Sequence, residues 1–329
     1  MTLGRFTFAL GMTLAVSLTA AAQQRTAPTP VPRPAIPGSP AATPAPAPAV
    51  ATGGGDAAFG AYQRGQFLTA FREATQRVEA GPDPVSMTLL AELHANGLGV
   101  PRNDQRALGW YRLAADRGDR NAIFALAMMH VEGRAGQARD PAAAKALFER
   151  AAALGHPAAG YNLGLLAFSG QGGQPDPIVA ARWFQMAADL GNADAQYALA
   201  VLLKDGNGIP ADPARAAAWM EKAARQDLLE AEIDYGIMLF NGQGVTKDEA
   251  AAAQMFRKAA LRGNPLAMNR YARLLAAGRG VTADPLMAAQ WHTTARLLGA
   301  EDAWLTDFVG KLDPVQREAA ERGARNWLR

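Results

Sequence analysis

Residues 231–263 read AEIDYGIMLFNGQGVTKDEAAAAQMFRKAALRG. An apolar stretch with Tyr235-Gly236 leads to the turn Gly242-Gln-Gly-Val245. Asp248 then opens a second stretch that carries Ala252 and Met255-Phe256-Arg257-Lys258-Ala259-Ala260, and Gly263 closes it. Asp at a helix N-cap accepts orphan backbone N–H groups, and Gly enters the left-handed conformation of a helix stop at little cost. The segment therefore reads helix, turn, helix, stop.

The same text recurs. The closing position is held by Gly81, Gly118, Gly155, Gly191, Asp227, Gly263 and Gly299, at intervals of 37, 37, 36, 36, 36 and 36. Paired glycines at 97/99, 170/172, 206/208, 242/244 and 278/280 each precede a closing position by 21 residues. The remaining unit has a version stretched by one residue, Gly133 to Gly136. A third marker, the helix opener, is Asn103, Asp140, Asp176, Asp212, Asp248 and Asp284; Pro follows at 141, 177, 213 and 285, the first helical position, where no donor is lost. Between markers apolar residues return every three or four positions, as in Ala195, Leu199, Leu202, Leu203 and in Ala216, Trp219, Met220, Ala223. Neither helix of a unit can bury its apolar face alone, so neighbours must stack. The expected fold is all-α, an α-solenoid of helix-turn-helix repeats.

This motif resembles the Sel1-like repeat, a relative of the tetratricopeptide repeat. The resemblance covers residues 84–299 in six units. Residues 56–83 look like a short leading tetratricopeptide-like unit, with Tyr62, Gly65, Phe67 and Ala70 in the expected spacing. Residues 300–329 are expected to cap the last unit, through a helix opened by Asp313-Pro314 and ending near Trp327-Leu328. The resemblance implies a right-handed superhelix that serves as a scaffold for protein–protein contacts. Exported bacterial relatives resemble envelope adaptors and regulators, and a few have been discussed as binding or hydrolysing cell-wall material.

The first 55 residues are of another kind. Arg5, the apolar run Phe6 to Leu18 and the small residues Ala20-Ala21-Ala22 form the three parts of a secretory signal peptide. Cleavage is expected after Ala22, with an uncleaved anchor as the alternative. Residues 23–55 form a Pro/Ala-rich linker, with nine prolines from Pro28 to Pro48, and this composition favours extended polyproline conformations over packed structure. The expectation is a periplasmic protein. The chain has no cysteine, so it is not a lipoprotein and has no disulfide. With 33 basic and 30 acidic residues intermixed, and no basic run interleaved with aromatics, nucleic acid is not an expected partner.

Candidate chemistry is sparse. His94 and His130 share one slot of successive first helices, which suggests a metal or pH-sensing pair. The same slot carries Ala167, Leu203, Leu239 and Leu275 elsewhere, which favours two helix residues without that role. His156 and His292 are not placed for chemistry. The paired glycines lack the strand and the Lys-Ser/Thr of a phosphate loop, and no serine sits in a Gly-x-Ser-x-Gly elbow. Glu230 and Glu232 read as solvent-face residues. No nucleophile, base and orienting group come together, so neither catalysis nor a cofactor or metal is expected.

Two aromatic series remain. Trp110, Phe148, Trp183, Trp219, Phe256 and Trp291 read as packing between units. In tetratricopeptide register, a small slot (Ala91, Ala127, Gly164, Ala200, Gly236, Ala272) lets the helices of a unit approach, and flanking positions face a concave groove. In the middle units these positions are Phe124, Met128, Tyr161, Leu165, Phe168, Tyr197, Val201, Ile233, Ile237 and Phe240. An apolar strip of this size suits a partner helix or extended peptide. The competing reading buries part of it as core. The expected function is a scaffold or regulator in the envelope that holds a protein segment in this groove; the alternative is a cell-wall glycan or peptidoglycan-fragment binder or hydrolase, with β-lactamase-like activity.

Overall fold

A computed structural model of the chain describes residues 57–170 and 174–328, and all of these lie within one compact unit, Pro44–Arg329. The expected signal peptide and linker lie outside the described residues. Sixteen helices and no strand occur among the described residues. Helices α1 (Ala57–Gln63) and α2 (Phe67–Ala80) lead. Six pairs follow: α3 (Pro84–Asn96) with α4 (Asp104–Asp116), α5 (Arg120–Glu132) with α6 (Pro141–Ala153), and α7 (Pro157–Ser169) with α8 (Pro177–Asp189). Then come α9 (Ala193–Asp205) with α10 (Pro213–Arg225), α11 (Leu229–Asn241) with α12 (Glu249–Leu261), and α13 (Pro265–Ala277) with α14 (Pro285–Leu297). Helices α15 (Ala303–Gly310) and α16 (Pro314–Trp327) finish the chain. None of them is long and apolar enough to cross a membrane.

The helix starts follow from side-chain caps. Asn103, Asp140, Asp212, Asp248 and Asp284 each accept the amide three residues on, at 2.9–3.0 Å, and Asp176 accepts those of Ile178 and Val179. First helices are capped in the same way by Asp83, Asp119, His156, Asn192 and Asn264, whereas Leu228 leaves α11 without a side-chain cap.

The two glycines of each turn have different jobs. Gly97, Gly206, Gly242 and Gly278 stop the first helix in the left-handed region, at φ 65–70°. The second glycine at Gly99, Gly208, Gly244 and Gly280, also left-handed, lies against the preceding unit. A Cβ on Gly208 would overlap the Pro177 carbonyl, one on Gly244 the Pro213 carbonyl, and one on Gly280 the Glu249 carbonyl. These three turns are therefore seated on the first residue of the preceding unit's second helix, backbone against backbone. In the stretched turn, Ala135 takes up the extra residue at φ 55°, and the Gln105 side-chain amide donates to its carbonyl. The closing positions are left-handed from Gly118 onward, including Asp227 at φ 62°, but Gly81 is extended at φ 171°.

The packing between units corrects the aromatic series. One slot, at Tyr111, Phe148, Phe184, Met220, Phe256 and His292, is buried throughout. The slot before it, at Trp110, Leu147, Trp183, Trp219, Met255 and Trp291, is half-buried except at Trp291. The expected set drew on both. On a helix a one-residue step turns the side chain by about 100°, so adjacent residues meet different neighbours. Trp219 lies at the edge, with the Lys222 ammonium 3.7 Å from its ring centroid, while Met220 fills the interior.

Two polar groups go deeper than the sequence suggests. Glu232 is fully buried rather than solvent-facing; it pairs ionically with Lys258 at 2.7 Å and accepts from Arg262 at 2.9 Å. One unit earlier the corresponding residues, Gln196 and Gln226, make an amide–amide bond of 2.8 Å. His292 sits in the buried slot, with Nδ1 2.9 Å from Asn269 Oδ1 and Nε2 3.0 Å from Thr306 Oγ1, and so ties α13, α14 and α15 together. Helix α16 packs on α14, with the Trp327 and Trp291 rings edge to face at 5.9 Å.

Candidate functional site

The first helices α3 and α5, with α1 before them, line an open cavity of about 480 Å³. Its wall includes Phe59 and Tyr62 of α1, Thr88, Glu92 and Asn96 of α3, Tyr111 of α4, Asn121, Phe124 and Met128 of α5, and Arg134 and His156 beyond it. Thr88, Glu92, Ala95, Phe124 and Met128 occupy slots of the predicted groove stripe, so in these units those slots do face one open space. The cavity is centred on the first two repeats, nearer the start of the solenoid than the strip read from the middle units.

Local geometry fixes the walls. The His156 ring lies flat on Phe124, with centroids 4.3 Å apart and 14° between planes. Its Nδ1 accepts the Ala159 amide at 3.2 Å, so His156 caps α7 as Asp and Asn cap other first helices. Burial, with the Arg120 charge nearby, lowers its pKa to about 4 and keeps the ring neutral, as an acceptor Nδ1 requires. Burial also pushes the Tyr111 phenol up, and the Glu92 carboxylate beside it acts in the same direction. Glu92 raises the Tyr62 phenol likewise, after burial, and accepts from Asn96 Nδ2 at 3.2 Å. Arg134 is held by Asp104 at 3.0 Å and by Glu132 at 3.6 Å.

Of the predicted groove residues, Phe124 and Met128 line this cavity. Tyr161, Leu165, Phe168, Tyr197, Ile237 and Phe240 are half-buried farther along. Val201 and Ile233 are core instead, at 5% and 6% exposure. Val201 belongs to an apolar cluster with Ala231 and Met238 of α11, and Ile233 to one with Met268 and Ala272 of α13. Tyr197 donates to Asp234 at 3.0 Å. Tyr161 packs on Phe184 with centroids 5.8 Å apart, and burial with the nearby Asp194 raises its phenol to about 12. The Phe240 ring is covered by the Arg279 guanidinium, 4.2 Å from its centroid.

Tyr62, Tyr111, Glu92 and His156 were not among the predicted site residues. Glu92 had a readable signal, as the one carboxylate in the flanking slots of the stripe; Tyr111 stands in the buried packing slot, which offers no sign of a cavity. His94 is buried on the opposite side, edge-on to Phe71 at 5.7 Å, and lines a second cavity of about 570 Å³. Among the described residues, the buried Nδ1 atoms of His94 and His130 have no hydrogen-bond partner.

Comparison with known proteins agrees with this architecture. A Sel1 repeat protein from Oxalobacter formigenes is similar over 73% of this chain and 98% of its own, with a TM-score of 0.64 and 27% identity. The c5321 protein, a protective antigen present in uropathogenic Escherichia coli strains and displaying an SLR fold, matches over 83% of this chain and 68% of its own, with a TM-score of 0.53 and 27% identity. A comparison with curated proteins gives no match. The family model described as Sel1 repeat matches six consecutive segments, residues 84–119, 120–156, 157–192, 193–228, 229–264 and 265–299, and the chain belongs to the Sel1 repeat family.

Proposed function

We propose that this protein is an exported scaffold that holds a segment of a partner protein on the face built by its first helices. Sel1 repeats generally mediate protein–protein interaction, and typically do so without catalysis. The observation that carries the reading is the open cavity at Phe124 and Met128, continued along the same slots by half-buried Tyr161, Leu165, Phe168 and Tyr197. Large, fairly rigid side chains of this kind dominate binding energy at interfaces. The envelope location rests on Arg5, the apolar run Phe6 to Leu18 and the small residues at 20–22.

Two measurements test the two halves. N-terminal sequencing of the periplasmic fraction should begin at Gln23; an intact Met1 in the membrane fraction would show an anchor. Site-specific photocrosslinkers at Asn121 and Ala158 should capture the same partner in the native envelope. Tyr161→Ala with Tyr197→Ala should then lower capture about 30-fold, the ~2 kcal/mol scale of a hot spot. Undiminished capture by a double mutant that unfolds at the normal temperature would overturn the groove reading.

A further inference from the structure

Glu92 points to what the groove takes. It stands in the cavity wall beside Tyr62 and Tyr111, and among the described residues it makes no ion pair. Arg134, the one Arg or Lys in that wall, is already held by Asp104 and Glu132. A carboxylate flanked by two tyrosines and close to Phe124 and Met128 suits an alkylammonium or guanidinium group. Its stem packs on the apolar wall, its charge meets the carboxylate, and the ring faces add cation–π attraction.

Carboxylates also gather farther along the face, where exposed Lys204 stands as well, in the slot of Phe168 and Phe240. The cavity-lining positions of the first two repeats, Val85, Asn121, Leu89 and Ala125, correspond by the repeat to Asp194 and Glu230, and to Ala198 and Asp234. Asp194, Glu230 and Asp234 make no ion pair among the described residues. Burial and the neighbouring Glu230 together push the Asp194 carboxyl up, as happens when no cation is at hand. Tyr197 lies next to this group, bonded to Asp234. The chain as a whole is basic, at +3, so these carboxylates are a local feature of the face.

We propose, building on the groove reading, that the occupant is a cationic segment of a partner polypeptide. One Lys or Arg enters the cavity onto Glu92, and further basic residues meet Asp194, Glu230 and Asp234. Packed helices lie about 10 Å apart, so Glu92 and Asp194, three units apart, are separated by roughly 30 Å, the span of about nine extended residues, and Glu230 and Asp234 lie one unit farther, at about 40 Å. An uncharged apolar helix would strip water from these carboxylates and give nothing in return. A nucleic acid would bring phosphates against them.

The test is fluorescence anisotropy of the mature protein with labelled ten-residue peptides, alternating Lys with Ala, Gln with Ala, or Glu with Ala. The Lys peptide should bind at least tenfold more tightly than the Gln peptide, and the Glu peptide should not bind. Raising the salt should weaken the Lys peptide alone. Glu92→Gln and, separately, Glu230→Gln with Asp234→Asn should each weaken it about tenfold with unchanged thermal unfolding, and Glu92→Asp should retain most of the binding. Equal affinity for Lys and Gln peptides, no binding of the Lys peptide up to 1 mM, or indifference to Glu92→Gln would each overturn the cationic assignment. Peptide binding of equal strength that Tyr161→Ala and Tyr197→Ala abolish would leave the groove standing without its charge preference. Binding indifferent to all these changes would show that the peptide sits elsewhere and remove its support from both.

Discussion

Replacing one glycine of a turn by alanine separates two kinds of cost that the sequence writes identically. Gly118 closes a unit at φ 84°, and an added Cβ there meets nothing within 4 Å. Gly118→Ala therefore bears only the left-handed penalty of an L residue, about 1 kcal/mol. Gly244 has a similar φ of 69°, but its Cβ would overlap the carbonyl of Pro213, the first residue of α10. No side chain can swing aside, so the turn must lift from the preceding unit. That adds an overpacking cost of about 1–3 kcal/mol, for a total near 3 kcal/mol. Urea unfolding followed by circular dichroism gives both values, provided the slope stays constant; a lowered slope for Gly244→Ala would show the array splitting between its fourth and fifth units. Equal losses for the two variants would refute the seating of each turn on its predecessor.

Three further outcomes are expected. Met220→Ala should cost about 2–5 kcal/mol as a core deletion, and Trp219→Ala less, because Trp219 keeps one face toward solvent and Lys222; calorimetry of both variants settles the order. The His156 pKa is lowered from 6.5 to about 4, so protonation favours the unfolded chain: its contribution is complete above about pH 6.5 and is lost as the pH falls toward 4. Solvent screening limits that loss to about 1–2 kcal/mol, and His156→Asn, which keeps the cap, should flatten this part of the stability–pH curve. Arg262→Ala should cost about 3 kcal/mol by weakening the compensation of buried Glu232, whereas Glu232→Gln with Arg262→Gln, copying the Gln196–Gln226 bond one unit earlier, should cost under 1 kcal/mol in denaturant titrations.

Much of the fold was legible because it is written in backbone chemistry. Asp and Asn caps, prolines at first helical positions and left-handed glycines each carry a local requirement that no distant residue alters. The caps of Asp140, Asp212 and Asp284 fall where the sequence places them. What failed depends on side-chain direction. Trp183 and Phe184 are neighbours in sequence, and aromatic character alone does not say which one turns inward. The spacing did say: Trp110, Phe148, Trp183, Trp219, Phe256 and Trp291 step by 38, 35, 36, 37 and 35, out of phase with the closing positions, whereas Tyr111, Phe148, Phe184, Met220, Phe256 and His292 step by 37, 36, 36, 36 and 36. Glu232 illustrates a further limit. Its burial depends on Lys258 and Arg262 reaching back from the second helix, a contact between positions 26 and 30 residues apart that no local pattern marks. Val201 and Ile233 are buried for a related reason, in clusters that also draw residues from the following unit.

The seating of Gly208, Gly244 and Gly280 on a preceding carbonyl has a consequence for how such a chain can diverge. Because two stretches of main chain set the stride, helix surfaces can exchange charge and aromatic character without altering the pitch. A binding face can thus be rewritten one residue at a time, while length changes only by whole modules. The turn with an extra residue holds its place through side chains, Gln105 to the Ala135 carbonyl and Asp104 to Arg134, so there a substitution retunes the joint between neighbouring modules.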